Sequence, residues 1–138
     1  MYDLMIIGSG PAGISAALTA KARNLNFIWF GSRALSTKIE KAEKIMNYPG
    51  LPAVTGSEMQ SVFLKQIDDC GITITESQVN SIYDCGGYFA AGADNEIYEA
   101  KAVIMTVGMT TTREIEGEAR LLGCGVSYCA TCDGALYK

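Results

Sequence analysis

Hydrophobic and polar positions change rhythm several times along the chain, and each change marks an element. Tyr2 to Ile7 is an apolar run that ends at a glycine, the pattern of a buried strand. Pro11 stands where a first helical turn would begin, a position that tolerates the missing N–H. The Ala- and Leu-rich stretch from Ile14 to Arg23 then predicts a helix. Phe27-Ile28-Trp29-Phe30, closed by Gly31, predicts a second strand, which completes a βαβ unit. Ser32 to Lys44 is polar without a clear period, and Asn47-Tyr48-Pro49-Gly50 reads as a turn. Met59, Val62, Phe63, Ile67 and Cys70 recur at helical spacing, with Thr55 or Ser57 as the candidate cap and Gly71 as the stop. Cys70 falls on the apolar face of that helix and is expected to pack there as a buried thiol.

The period then shortens. Ile72 to Ile74, Val79 to Tyr83, Tyr88 to Ala91 and Glu96 to Glu99 are strand-like pieces, punctuated by Gly86-Gly87 and Asp94-Asn95. They predict a small antiparallel meander. Ala102 to Val107 predicts a further buried strand ending at Gly108, and Thr110 to Cys124 is loop-like. The fold class is α/β: a Rossmann-like parallel sheet with a small antiparallel β-meander.

Composition narrows the function. A chain of 138 residues with 49% hydrophobic and 19% charged residues is a small globular domain and not a disordered tail. The net charge is −4 with no basic block, which speaks against a nucleic-acid groove. Histidine is absent, so His-dependent triads and His-bearing metal sites are excluded. Leu4 to Ala20 carries no charge, but Gly8, Gly10, Pro11 and Gly13 interrupt it and no Lys or Arg precedes Lys21. Neither a signal peptide nor a membrane helix fits, and a cytoplasmic location is expected. Five cysteines, an odd number, argue against a secreted disulfide scaffold.

Two motifs carry chemistry. Gly8-Ser9-Gly10-Pro11-Ala12-Gly13 fits G-x-G-x-x-G between a strand and a helix. The first glycine permits the tight turn, the second lets a pyrophosphate approach the backbone, and the third lets helix and strand lie close. Free N–H groups at the helix start would face a phosphate. An acid about 20 residues on would bind a ribose 2′-OH. Counting from Gly13 reaches Arg33 instead, which by rule hints at a 2′-phosphate and an NADP-binding dehydrogenase module. The meander argues against that, because a plain NAD-type fold continues with βα units. The second motif is Cys129-Ala130-Thr131-Cys132-Asp133. Thiols at i and i+3 share one side of a helical turn within disulfide reach. At a helix start a thiol pKa falls, and Asp133 could carry a proton. A zinc half-site or inert cysteines stay open as alternatives, although no second C-x-x-C supplies further zinc ligands. Cys85 and Cys124 carry no assigned role.

Taken together and in order, these residues resemble the thioredoxin reductase family of flavoprotein disulfide reductases. Gly8 to Gly13 matches that family's FAD-pyrophosphate loop, and Asn47-Tyr48-Pro49-Gly50 its N-x-P-G turn. Thr106-Val107-Gly108 resembles its second FAD signature, normally A-T-G, with Thr106 and Val107 replacing Ala and Thr. Gly125 to Gly134, G-V-S-Y-C-A-T-C-D-G, matches its redox motif nearly residue for residue. The resemblance implies FAD as cofactor, held by Gly8, Ser9, Gly10, Pro11, Ala12, Gly13, Gly31, Ser32, Arg33, Lys38, Asn47 and Gly108. It implies that Cys132 faces the flavin, that Cys129 attacks a partner disulfide, and that Asp133 is the acid–base group. It implies thioredoxin-disulfide reductase activity, thioredoxin as partner, and a homodimer for the full-length protein.

The family's G-G-Q after the second strand is replaced by S-R-A-L-S-T-K-I-E-K, in which Lys38 is expected to take over flavin contacts. This stretch looks more like the clostridial branch, which takes electrons from ferredoxin instead of NADPH; the donor stays open between the two. Family members are longer, so the chain is expected to be an N-terminal fragment. Residues 1–117 would be the N-terminal part of the FAD-binding domain, and 118–138 the start of a second, nucleotide-type domain carrying the cysteine motif. Three classes remain: this flavoenzyme, an NADP-binding dehydrogenase module, and a non-catalytic redox or zinc-binding interaction module.

Overall fold

The apolar run at the start of the chain forms β1 (Tyr2–Ile7), which leads directly into α1 (Pro11–Ala22) and β2 (Phe27–Phe30). The computed structural model describes residues 1–108, 116–121 and 124–126. After β2 come a one-turn helix α2 (Thr37–Glu40) and the longer α3 (Gly56–Asp69). The strands β3 (Val79–Asp84), β4 (Phe89–Ala93) and β5 (Glu96–Met105) follow, then a second one-turn helix, α4 (Glu118–Leu121). The chain divides into two compact units, Met1–Gly108 and Met109–Lys138. No helix among the described residues is long and apolar enough to cross a membrane.

All five strands of the first unit form one mixed sheet in the order β2-β1-β5-β4-β3. β1 pairs in parallel with β2 and with the second half of β5, from Ala100 to Met105. The first half of β5 pairs antiparallel with β4, and β4 antiparallel with β3. The parallel sheet and the meander expected from the sequence are therefore one α/β sheet, joined through β5. Glu96 to Glu99 and Ala102 to Val107, read from the sequence as two strands, are one continuous strand. Asp94 and Asn95, both at positive φ, make the two-residue turn that holds β4 against it.

Side chains alternate across the sheet, as the pleat demands. Leu4, Ile6 and Trp29 enter one core with Ile14, Ala17 and Ala20 of α1 and Met59, Phe63 and Ile67 of α3. Met5, Ile7, Ile28 and Phe30 point to the other face, where Ala91, Ala93 and Ala100 of the meander cover them. Tyr98 meets Phe30 edge-on there, with ring centroids 5.0 Å apart. The buried residues of α1 are small, Gly13, Ala17 and Ala20 beside Ile14, so this helix lies close on the strands.

Five further sequence expectations need correction. Ile72 to Ile74 is not a strand; the segment makes a single parallel bridge, Phe30 with Thr75, because Ile72 and Ile74 anchor it into the core under α3. Ser32 to Lys44 contains α2, capped by the Ser36 hydroxyl. The loop expected over Thr110 to Cys124 includes α4. Cys70 is exposed. α3 stops at Asp69, and the left-handed turn at Gly71 carries Cys70 off the apolar face as the cap residue. The second half of β5, expected to be buried, is largely exposed. β4 begins at Phe89 opposite Ala100, so no strand among the described residues flanks residues 101–105 on that side.

Candidate functional site

The loop between β1 and α1 is built by close backbone approach. Gly8 has φ +112°, and a Cβ there would stand 2.4 Å from the carbonyl oxygen of Thr106. A Cβ on Gly13 would stand 2.0 Å from the carbonyl oxygen of Gly8. Gly10 differs: among the described residues nothing lies within 4 Å of a Cβ built on it. Gly10 is also the N-cap of α1, and no side chain caps that end of the helix. Pro11 follows at the first helical position, with Ala12 and Gly13 supplying the next N–H groups. Two glycines are thus needed for packing, and the third leaves open space in front of a positive helix end.

The carbonyl of Gly8 is fixed from two sides. The Trp29 indole Nε1 donates to it at 2.9 Å and the Thr106 hydroxyl at 3.1 Å. The same hydroxyl lies 2.9 Å from the carbonyl oxygen of Ile7, and the Thr106 N–H donates to that oxygen at 2.7 Å. Sequence patterns alone single out neither Trp29 nor Thr106 as a site residue. The signal for Thr106 was its departure from A-T-G: a hydroxyl stands where that pattern has a methyl. Gly108, two residues on, has φ +67°, and no other described residue stands within 4 Å of a Cβ built on it.

Ser9 ties the loop to the end of β2. Its hydroxyl donates to the Leu35 carbonyl at 3.1 Å and accepts the Ser32 N–H at 3.0 Å. Gly31 has to be small because a Cβ on it would meet the Ser9 side chain at 2.5 Å. The structure thus brings together Gly8, Ser9, Gly10, Pro11, Ala12, Gly13, Gly31 and Ser32. Arg33 follows Ser32, but its guanidinium forms a bidentate pair with Asp68 at 3.0 Å. Its N–H donates to Glu76 Oε1 at 2.7 Å.

Lys38 is exposed on α2. Gln60 of α3 ties the start of α2 down by donating to the Ser36 carbonyl at 2.6 Å. Asn47 is exposed on a small loop closed by the bridge between Ile45 and Val54. Tyr48 packs edge-on against Phe63 of α3, centroids 5.4 Å apart, and fixes the Asn47–Gly50 turn. A shallow groove runs between this turn, α1 and α3, lined by Ile14, Leu18, Tyr48 and Phe63 among others. Cys129, Cys132 and Asp133 lie outside the described residues. Among the described residues no cluster of three or more Cys, Asp or Glu is arranged to hold a metal ion.

The chain resembles known proteins over its whole length. Residues 2–138 match the family model of pyridine nucleotide-disulphide oxidoreductases. It is 32% identical over 139 residues to a thioredoxin reductase of Bacillus subtilis, covering 100% of this chain and 44% of the relative. It is 35% identical to a thioredoxin reductase of Mycoplasma genitalium, with the same coverage of both chains. Among solved structures, a ferredoxin-flavin thioredoxin reductase from Clostridium acetobutylicum is 48% identical with a TM-score of 0.79; 99% of this chain and 48% of that one are covered. Thioredoxin reductase from Streptococcus pyogenes superposes with a TM-score of 0.83 at 34% identity, covering 100% of this chain and 45% of that one. The chain spans under half the length of the curated relatives it matches. A glycine loop at the end of β1, a meander joined to the parallel sheet, and a match running from Tyr2 to Lys138 agree: this chain belongs to the pyridine nucleotide-disulphide oxidoreductase family.

Proposed function

We propose that this chain supplies the FAD cradle and the reactive cysteine pair of a thioredoxin-disulfide reductase. The observation that carries the reading is the glycine loop: Gly8 and Gly13 are closed by backbone, while Gly10 stands open before the uncapped start of α1. A pyrophosphate fits that opening and nothing bulkier than glycine leaves it free. FAD held there would supply the two-electron redox chemistry that the side chains lack.

The chain's own residues do the rest. The Asn47–Gly50 turn, pinned by Tyr48 on Phe63, would border the flavin, and Lys38 would add a positive charge nearby. Cys129 and Cys132 would accept two electrons and two protons as their disulfide opens to two thiols. Cys129, as thiolate, then attacks a sulfur of the partner disulfide, and a mixed disulfide forms as the partner's first thiolate leaves. Cys132 displaces the partner's second sulfur, the Cys129–Cys132 disulfide closes, and the partner leaves as a dithiol. Asp133 would carry the proton between these sulfurs. Thioredoxin is the partner this reading names. The 48% identity to a ferredoxin-flavin enzyme supports reduced ferredoxin as donor over NADPH. In this reading residues 1–117 belong to the FAD-binding domain and 118–138 open a second domain.

The test is an FAD titration followed through the single tryptophan, Trp29, whose indole is bonded to the glycine loop. Binding is expected to quench its fluorescence. Gly10→Val should abolish the quenching and leave the circular dichroism spectrum unchanged. Equal flavin binding by that variant would refute the site.

A further inference from the structure

β2 ends at Phe30, and the chain leaves it through Gly31, Ser32 and Arg33. In a dinucleotide fold the acid that reaches the adenosine ribose stands at this strand end. Here the position holds Arg33, yet a carboxylate is present, delivered from a different part of the chain. Thr75 bridges Phe30: its N–H donates to the Trp29 carbonyl at 2.7 Å, and its carbonyl accepts the Gly31 N–H at 3.1 Å. Ile72 and Ile74 are buried and hold this segment in place. Glu76 is the next residue, and its Oε1 accepts the Arg33 N–H at 2.7 Å. Ser32, the neighbour of Arg33, is bonded to Ser9 of the glycine loop. The carboxylate is therefore tethered to the strand end where a fingerprint acid would stand, beside the loop.

The guanidinium of Arg33 is turned to Asp68 at the end of α3, with both terminal nitrogens on that carboxylate. An arginine in this state has its fork filled by a carboxylate and presents two acidic neighbours, Glu76 and Asp68, to any incoming anion.

We propose that Glu76 is the ribose-binding acid of this site, and that Asp68, by holding Arg33, closes the strand end to a 2′-phosphate. The ligand class is an adenine nucleotide with a free ribose diol. The proposal rests on the reading that the glycine loop holds a dinucleotide. An ionised carboxylate is acceptor-only and takes several hydrogen bonds. One N–H occupies part of Oε1, and the rest of the carboxylate is free to accept ribose hydroxyls in charge-assisted bonds. A 2′-phosphate in the same place would face Glu76 and Asp68 while the Arg33 guanidinium is already engaged by Asp68.

The experiment is competition of ADP, AMP and 2′,5′-ADP against FAD on the intact chain, with Glu76→Ala, Glu76→Gln and Asp68→Asn beside the unchanged protein. Glu76 is exposed, so its replacement empties no core, and circular dichroism melts check folding for each variant. The unchanged chain is expected to prefer AMP over 2′,5′-ADP, which differ only by the 2′-phosphate, by about tenfold or more, the size of a hydrogen bond to a charged group. Glu76→Ala should weaken ADP and FAD by about tenfold, with Glu76→Gln in between. Asp68→Asn should free Arg33 and improve 2′,5′-ADP binding without weakening ADP. FAD and ADP bound equally by the unchanged chain and by Glu76→Ala would overturn the role of Glu76 and leave the glycine-loop reading standing. A preference for 2′,5′-ADP in the unchanged chain would overturn the exclusion. No binding of FAD or ADP to the folded, unchanged chain would overturn the dinucleotide reading and this proposal with it.

Discussion

At the scale of single residues, the glycine loop separates packing from binding. Gly13 and Gly10 look alike in the motif, but their surroundings differ completely. Gly13→Ala pushes a methyl into the Gly8 carbonyl and the Thr106 hydroxyl. It is expected to destabilise the fold by about 1–3 kcal/mol or more, the range for overpacked sites. Gly10→Ala has space and an ordinary φ of −73°, so it should leave stability unchanged. Urea denaturation midpoints of the two variants check this; equal midpoints would mean that the loop relaxes freely. The motif itself was legible in the sequence, because a strand and a helix flank it. What holds the motif was not. Trp29 reads as one more apolar residue of a buried strand, and only the fold reveals its indole donating to Gly8. Arg33 was legible as a charge at the right count, but its partner Asp68 lies 35 residues away and no spacing rule links them.

Among the elements, α3 shows how local signals decide. The Thr55 hydroxyl accepts the Glu58 N–H at 3.2 Å, and the Glu58 carboxylate accepts the Thr55 N–H at 2.8 Å, a complete capping box. Thr55→Ala is expected to cost about 1 kcal/mol. The backbone N–H and then the hydroxyl of Thr55 hold the Glu58 carboxyl below the usual glutamate range. A carboxylate lowered in this way adds stability that is complete above its unfolded pKa. That stability is lost as pH falls through the lowered folded value. Glu58→Ala should therefore lower stability near neutral pH and converge with the unchanged chain in acid, which flattens the acid side of the stability curve; thermal melts between acid and neutral pH give the comparison. Asp3, lowered chiefly by its bond to Lys101, keeps its own acid dependence in that variant. The helical period of α3, its cap and its glycine stop were all readable, since each is set within a few residues. The single strand β5 was not. Glu99, Ala100 and Lys101 break its apolar pattern because Ala100 is where the strand changes partners, facing Phe89 of β4 on one side and Tyr2 of β1 on the other. No local pattern encodes a strand shared between a hairpin and a parallel pair.

For the whole molecule, the cysteines offer a direct test of the reactive pair. Cys70, Cys85 and Cys124 are free and exposed. All three should react with iodoacetamide in the native oxidised chain, while Cys129 and Cys132 become reactive only after reduction. Peptide mass spectrometry distinguishes the five sites, and a bridge involving Cys70 or Cys85 would refute the pairing. The order in which the strands are made has a further consequence. β1 and β2 can meet once the first 30 residues exist. β5, which lies on the other flank of β1 and joins Lys101 to Asp3, comes 98 residues after that aspartate. At about 5–20 residues per second on a ribosome, β1 waits roughly 5–20 s with one edge open. The nascent chain is then an unfinished sheet, a substrate for chaperones and for pairing with neighbouring nascent chains. Ribosome-bound chains stalled before Glu96 should be cut readily by protease within Leu4 to Ile7. Chains stalled far enough past Met105 for β5 to leave the exit tunnel should resist.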